Sequence, residues 1–275
     1  MTATATTIPT ETRSRMASVR PHLGVAGAFL ACFVAWELAV RLIGIKEYLL
    51  PAPSVVLVAL AENWSTVLDS AVVTTSEILA GYALAVAVSI PLALVISYSL
   101  FMEETVYPVI VFFQIIPKIA IAPLFIIWFG FGFTPKLLLV FLLSFFPIVV
   151  SSITAFKSLD PDVMDFARTT GAGSWRLFAK IRLPQALPGI FTGLKVGAAL
   201  SATAAVVAEF VASDKGLGYL LLRYNGDLNT AMVFAVILVL SLIGLAVYYA
   251  VELLERVTIP WHVSQQPAQA GPEHA

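Results

Sequence analysis

Four ionisable side chains lie inside long apolar stretches of this sequence, and they are the residues there that are best able to take part in chemistry. Glu37, Glu77, Lys118 and Glu209 are each surrounded by runs of apolar residues. A charge at the centre of a bilayer costs about 2.5–3.5 kcal/mol on insertion scales, so each should face protein or water rather than lipid. Carboxylates and an ammonium at such depth could form ion pairs, line a path for a solute or relay protons.

Two interpretations stay open for the charges in the middle of the chain. Lys118 lies between Pro117 and Pro123, which should break the helix there, and irregular backbone at membrane depth is tolerated only against protein or a cavity. Lys118 is therefore expected either to line a path or to pair with Glu209. Glu209 is expected to pack against a helix end or Lys118, or else to shape an outer gate. Glu77 is expected to be structural or interfacial, and it is kept as a candidate gate residue.

Several enzyme classes lack their required residues in this chain. The sequence holds no G-x-x-x-x-G-K-[ST] phosphate-binding loop, so any energy from ATP must come from another chain. Its three histidines, at 22, 262 and 274, lie near the ends without an H-E-x-x-H pattern, and the single Cys32 cannot build a metal site. Cys32 is expected to be a small buried hydrophobe. No intramembrane histidine accompanies the serines and threonines as a base. We expect neither enzymatic activity nor a cofactor.

Composition indicates an all-α protein of the lipid bilayer. Hydrophobic residues make up 59% of the 275 residues, charged residues 12%, and the mean hydropathy is +0.92. An average soluble domain carries about 25% charged residues. The net charge of −1 gives no reason to expect nucleic acid as a partner. Apolar runs predict a polytopic helical bundle with about six spans, at residues 23–40, 70–99, 107–128, 136–156, 189–212 and 230–253.

The segments between these spans contain shorter sequence signals. Ser54 is predicted to cap a short helix that reaches about Trp64. Gly130 and Gly132 are predicted to form a tight turn on the outer side. With the N-terminus inside, the inner segments carry more Lys and Arg than the outer ones, among which Lys136 is counted. The positive-inside rule then places the polar segment at 160–188 in the cytoplasm.

This polar segment between two apolar blocks is predicted to form two short helices. Asp160 and Ser174 can cap them, and Gly171 can end the first. Val163 and Phe166 lie on one face of the first helix, so that helix is amphipathic and suits docking into the groove of a partner. Two prolines, at 184 and 188, are predicted to prevent a continuous helix from this segment into the next span.

The spacing of residues in this segment resembles the cytoplasmic EAA loop of permease subunits of ABC importers. The resemblance is carried by Asp165-Phe166-Ala167, Gly171 and Ile181-Arg182-Leu183-Pro184. Other stretches resemble the nitrate, sulfonate, taurine and thiamine-precursor permeases: Pro117-Lys118, Ala122-Pro123-Leu124, Trp128-Phe129-Gly130-Phe131-Gly132, Ala208-Glu209-Phe210 and Gly216-Leu217-Gly218.

The resemblance implies a type I ABC importer permease in the cell inner membrane, with both termini cytoplasmic. It implies a tail at residues 1–21, a permease domain at 22–258 with a coupling loop at 158–188, and a tail at 259–275. It further implies a homodimeric pore, two copies of an ATPase subunit and an extracytoplasmic solute-binding protein. The residues implied to couple to the ATPase are Val163, Asp165, Phe166, Ala167, Gly171, Ile181, Leu183 and Pro184.

The same resemblance implies import of a small solute, an organic or inorganic anion such as a sulfonate, taurine or nitrate. Import of a thiamine or pyrimidine precursor, or of an aromatic acid, is the alternative within this class of transporter. Two rivals come from other classes. One is a proton-coupled secondary transporter that uses Glu77, Lys118 and Glu209 as a relay, and the other, favoured less, is a membrane-embedded hydrolase.

Overall fold

The computed structural model describes residues 20–158, 167, 169 and 173–261, with residues 20–26 and 212 described by their backbone alone. Strands are absent from this part of the chain, which confirms the predicted all-α class. The helices are α1 (Arg20–Ile43), α2 (Pro53–Glu62), α3 (Trp64–Tyr98), α4 (Leu100–Ile115), α5 (Ala122–Phe129), α6 (Phe133–Lys157), α7 (Ser174–Leu177), α8 (Leu183–Ala212), α9 (Leu217–Gly226) and α10 (Thr230–Thr258).

Long apolar helices account for most of the predicted spans. Within the described residues, four are long and apolar enough to cross a membrane, at Trp64–Tyr98, Phe133–Lys157, Ser174–Val211 and Thr230–Thr258. A fifth crossing is made if α4 and the segment Lys118–Phe129 are counted as one broken span. Helix α1 covers the first of the six segments predicted from the sequence.

The span predicted at 107–128 is broken, as its prolines indicated. Helix α4 ends at Ile115, a 3₁₀ turn follows over Lys118–Ile121, and α5 then leaves at 84° to α4. Pro117 precedes the 3₁₀ turn with extended backbone, because proline cannot donate the hydrogen bond that would continue α4. The break therefore places Lys118 on a short turn between two helices rather than inside a regular span.

Helices α6 and α8 pack through three glycines spaced four residues apart. A Cβ at Gly189, Gly193 or Gly197 would lie 2.6–2.9 Å from side-chain carbons of α6. The Ser144 hydroxyl of α6 also donates to the carbonyl of Gly197 at 3.1 Å. Small residues at this spacing let two membrane helices approach closely. This stripe fixes the part of α8 from Gly189 to Gly197 against α6.

Helix α3 lies against both of these helices. A Cβ at Gly81 would lie 2.5 Å from Cβ of Val140 in α6, so glycine is required for that approach. Tyr82 donates its hydroxyl to the carbonyl of Leu194 in α8 at 2.8 Å, and Ser89 donates to the carbonyl of Phe145 at 3.1 Å. Helices α3, α6 and α8 thus form one packed core.

The prediction that Pro184 and Pro188 interrupt the helix is wrong. Residues Phe178–Arg182 form a π-helical turn that continues directly into α8, and Ser174–Val211 is one helical span. A π-helical turn takes one extra residue into the helix, so the hydrogen-bond ladder rearranges beside the prolines without ending the helix. Pro184 follows the π-helical turn directly, so its missing N–H falls where the hydrogen-bond ladder is already rearranged.

The caps and turns differ in part from the sequence prediction. Neither Ser54 nor Ser174 caps its helix: Ala52 and Gly173 occupy the N-cap positions, without side-chain hydrogen bonds. Gly130 and Gly132 do form the predicted turn, between α5 and α6, with φ values of +74° and +137° that favour glycine. The predicted cap Asp160 lies outside the described residues.

Candidate functional site

A buried polar cluster lies where α3, α6, α8 and the start of α9 meet. Thr74, Glu77 and Glu209 are fully buried, and Lys136 is 6% exposed. Buried ionisable groups are costly unless they are paired and hydrogen-bonded, so the partners of each group decide what the cluster can do. The four residues Thr74, Glu77, Lys136 and Glu209 are called the outer cluster below, a name taken from the outer segment to which the sequence prediction assigns Lys136.

Glu209 is held by the loop and helix that follow it in the chain. Its carboxylate accepts a hydrogen bond from the backbone N–H of Gly218 and one from the Thr74 hydroxyl at 2.6 Å. The Thr74 oxygen accepts in turn from the N–H of Leu217 at 2.8 Å. A Cβ at Gly216 would lie 2.1 Å from Oε1 of Glu209, so only glycine leaves room for the carboxylate. Two of the sequence motifs therefore contact each other, Ala208-Glu209-Phe210 and Gly216-Leu217-Gly218.

Lys136 completes the outer cluster as the partner of Glu77. Its ammonium forms an ion pair with the Glu77 carboxylate and donates to the Ser213 hydroxyl at 3.0 Å. The Glu77 carboxyl also lies beside that of Glu209, so two carboxyl groups share the neighbourhood of one ammonium. This arrangement joins four helices through charge and hydrogen bonds.

Sequence reasoning missed Lys136. It stands at the start of a predicted span and was therefore counted with the basic residues of an outer segment. In the structure it lies in the first turns of α6, which begins at Phe133, and its side chain points into the bundle. The predicted span began at residue 136. A predicted start at Phe133, three residues earlier, would have placed Lys136 inside the helix bundle.

The pair between Lys118 and Glu209, one of the two interpretations of these charges, does not form. The Lys118 ammonium donates to the carbonyl of Gln114 at 2.6 Å and lies 4.6 Å from the centre of the Phe146 ring. Glu209 is held by Thr74 and Gly218 instead. A cation over an aromatic face is stabilised by about 0.5–1 kcal/mol at exposed sites. Lys118 is half-buried and, within the described part of the chain, contacts no carboxylate.

The remaining intramembrane charges have structural partners. Glu37 accepts hydrogen bonds from the N–H and the hydroxyl of Ser54, at 3.0 and 2.8 Å, and pairs with Arg41. Its carboxylate thereby satisfies the start of α2, where free N–H groups favour an anion. Lys195 of α8 pairs with Glu255 of α10. The Glu37–Ser54 contacts join α1 to α2, and the Lys195–Glu255 pair joins α8 to α10, as a structural role requires.

The predicted coupling residues are only partly within the described structure. Val163, Asp165, Phe166 and Gly171 lie outside the described residues. Ala167 is buried, at 6% exposure. The other three, Ile181, Leu183 and Pro184, are half-buried at the junction of the π-helical turn and α8. A cleft of about 560 Å³ opens beside this junction, lined by residues that include Ile181, Pro184 and Trp261.

The outer cluster and Lys118 differ in how their charges are satisfied. Groups of His, Cys, Asp or Glu that could hold a metal ion are absent from the described residues. The outer cluster binds helices to one another, whereas Lys118 stands on a broken span with its charge unpaired by any described carboxylate. Cys32, predicted to be buried, is exposed on α1.

Comparison with known proteins agrees with these features. The family described as "Binding-protein-dependent transport system inner membrane component" matches residues 78–259. The chain is similar to the formylaminopyrimidine transport permease protein ThiX of Halalkalibacterium halodurans, with 35% identity over 86% of this chain and 95% of that protein. It is also similar to the riboflavin transport system permease protein RibX of Chloroflexus aurantiacus, with 34% identity over 89% and 92% of the two chains.

More distant relatives complete the comparison. The taurine transport system permease protein TauC of Escherichia coli is 33% identical over 65% of each chain. Among solved structures, inward-facing conformations of the MetNI methionine ABC transporter match with a TM-score of 0.59 and 16% identity, over 70% of this chain and 96% of that one, which shows a shared fold. The chain belongs to the binding-protein-dependent inner-membrane permease family, and it is the transmembrane permease subunit of an ABC importer.

Proposed function

We propose that two copies of this chain form the pore and that an ATPase chain binds each coupling loop at residues 158–188. An extracytoplasmic binding protein delivers the solute, and both termini lie in the cytoplasm, on either side of a permease domain at 22–258. The family description, which names dependence on a binding protein, supports these partners. The absence of a phosphate-binding loop in the sequence supports a separate ATPase.

Surface apolarity supports a second copy of the chain. Large apolar side chains of α4 and α5 are exposed, including Phe112, Ile115, Ile127 and Trp128. Exposed apolar area of this kind suits lipid or another membrane subunit, and the broken span carries Lys118 on the same part of the molecule. A homodimer that brings two such breaks together would place two Lys118 side chains along one path.

The solute we propose is a small organic or inorganic anion, such as a sulfonate, taurine or nitrate. The observation that supports this choice is how the charges of the three intramembrane lysines are neutralised. Lys136 and Lys195 form ion pairs with carboxylates, whereas the polar and aromatic contacts of the Lys118 ammonium with the described residues are to a backbone carbonyl and a phenyl ring. An ammonium without a neutralising carboxylate can attract and pass an anion. Relatives named for taurine and aliphatic sulfonates support this choice.

A pyrimidine precursor is the second candidate, and the relatives named for formylaminopyrimidine and riboflavin favour it. A heteroaromatic solute would need flat apolar surfaces and hydrogen-bonding groups more than a cation. The secondary-transporter alternative has less support, because Lys118 is separate from the two carboxyl groups that would have to exchange protons with it.

Transport in proteoliposomes tests the choice of solute. The permease, its ATPase and its binding protein would be reconstituted, and uptake of taurine, an alkanesulfonate and formylaminopyrimidine measured for Lys118→Gln and Lys118→Arg. Loss of one hydrogen bond to a charged group costs about 1.5–3 kcal/mol, so anion uptake below saturation should fall roughly 10- to 100-fold in Lys118→Gln.

Matched variants make the result specific. Lys118→Arg should retain most of the uptake, because the charge remains. The exposed Lys215 supplies the control, since Lys215→Gln removes an equal charge from a loop. Uptake of taurine and the sulfonate at wild-type rates by Lys118→Gln would contradict the anion proposal. Uptake of formylaminopyrimidine alone by the wild-type complex would establish the second candidate.

A further inference from the structure

The end of the π-helical turn at Phe178–Arg182 is fastened to the ends of two membrane helices by one side chain. Arg182 donates from Nε to the carbonyl of Phe156 at 3.3 Å and from Nη2 to the carbonyl of Ser97 at 3.2 Å. Its guanidinium also lies 4.3 Å from the centre of the Tyr98 ring. One residue of the segment therefore contacts both α3 and α6.

Both carbonyls belong to helix ends that need a donor. Ser97 lies in the last turn of α3, which ends at Tyr98, and Phe156 lies in the last turn of α6, which ends at Lys157. The last four carbonyls of a helix have no partner within it, and the helix dipole favours a cation there. The planar guanidinium, with several donors in a fixed arrangement, can satisfy two such carbonyls together.

Aromatic contacts extend the same junction along the segment. The Tyr98 and Phe178 rings meet edge to face with centroids 6.0 Å apart, and Trp175 lies against Phe178 at 5.6 Å. Trp175, Phe178, Tyr98 and Arg182 thus form a continuous row from α7 to the end of α3. Edge-to-face pairs contribute about 0.5–1.5 kcal/mol beyond the area that they bury.

The helix ends held by Arg182 lead directly to the broken span. Ser99 alone separates the end of α3 from the start of α4, and its hydroxyl accepts from the N–H of Met102. Lys157 at the end of α6 pairs with Glu103 in the first turn of α4. Helix α4 runs from this joint to the turn that carries Lys118. A displacement of the π-helical turn therefore has a packed route to α4.

We propose that Arg182 is a positioning residue that transmits motion of the coupling loop to the joint between α3 and α4. This inference rests on the proposed function, in which the loop at 158–188 binds the ATPase. Without the guanidinium, the loop can move with the ATPase while the two helix ends stay behind. Transport would then be uncoupled from hydrolysis while the complex stayed assembled.

Measuring solute transported per ATP hydrolysed tests this role in the reconstituted complex. In Arg182→Gln, recovery of the ATPase with the permease and the hydrolysis rate should stay within about twofold of wild type, and transport per ATP should fall at least about fivefold, the lower end of typical coupling between sites. Arg182→Lys should recover part of the ratio, because the cation remains although the two-carbonyl fork is lost.

Two further variants separate coupling from folding. Arg223→Gln is the matched control, since Arg223 is exposed on α9, outside the coupling loop, and its side chain has no polar partner among the described residues. Tyr98→Leu, at an exposed position, removes the ring under the guanidinium and should lower the ratio even if Arg182→Gln fails to fold.

The outcomes are distinct. An unchanged ratio in both Arg182→Gln and Tyr98→Leu overturns the inference, as does an equal fall in Arg223→Gln. Loss of the ATPase from folded Arg182→Gln would also overturn it, because Arg182 would then belong to the docking surface. Failure of the wild-type chain to retain any ATPase would contradict the proposed function instead.

Discussion

The ion pair between Lys136 and Glu77 gives the sharpest test of the outer cluster. Replacing Lys136 by methionine keeps most of the length of the side chain and removes the cation that, within the described part of the chain, lies beside two buried carboxyl groups. Removing one partner of a buried pair costs about 3–5 kcal/mol, because the other charge is left without compensation. We expect Lys136→Met to lower the free energy of unfolding by that amount.

The loss should be recovered when the stranded carboxylate is also removed. In the double variant Lys136→Met with Glu77→Gln, the ion pair is removed as a whole and the buried carboxyl group of Glu209 keeps its hydrogen bonds from Thr74 and Gly218, so the two changes should be non-additive by about 0.5–3 kcal/mol. Unfolding of the purified permease by sodium dodecyl sulfate in mixed micelles, followed by loss of helical signal, measures the four free energies of this cycle.

A second ion pair of the same chain provides the control. Lys157 and Glu103 join α6 to α4 much as Lys136 and Glu77 join α6 to α3, but their side chains are 41% and 30% exposed. Pairs with this exposure contribute about 0–1 kcal/mol, so Lys157→Met should cost little. If Lys136→Met cost no more than Lys157→Met, burial would not decide the strength of the outer cluster, and the reasoning would be refuted.

Two other predictions concern a glycine and the coupling loop. Gly216→Ala should destabilise the permease by at least about 1 kcal/mol more than Gly130→Ala, measured by the same unfolding assay, because both have positive φ but only at Gly216 would a Cβ collide with Glu209; equal costs would contradict the clash. Phe166→Ala should weaken binding of the ATPase by about 2 kcal/mol or more, measured by titration of the purified chains, if Phe166 is an anchor of that interface; unchanged binding with a lower melting temperature of the isolated permease would place Phe166 against its own helices.

Local patterns predicted the helical elements well. The apolar runs predicted where the long helices lie in the sequence. Pro117 and Pro123 indicated the break that the structure shows between α4 and α5. The glycines at 130 and 132 indicated their turn. These features depend on residues within one or two turns of one another, so a pattern in the sequence contains most of the information about them.

Local patterns failed where the outcome depended on neighbouring helices. Pro184 and Pro188 were predicted to end a helix, yet the π-helical turn carries the chain past them. The motif Ile181-Arg182-Leu183-Pro184 placed Arg182 in the coupling loop but did not indicate its partners, because these are the carbonyls of Ser97 and Phe156 on two other helices.

The sequence by itself determined that this chain is a membrane-spanning helical permease, because hydropathy, prolines and motif spacing are local properties. Only the tertiary structure decided which charges meet. Glu209 accepts hydrogen bonds from Thr74 and Gly218 and does not pair with Lys118, and Lys136, which was expected in an outer segment, pairs with Glu77. The physical reason is that a buried side chain finds its partner through the rotation and depth of whole helices, which glycine contacts and packing fix across the bundle.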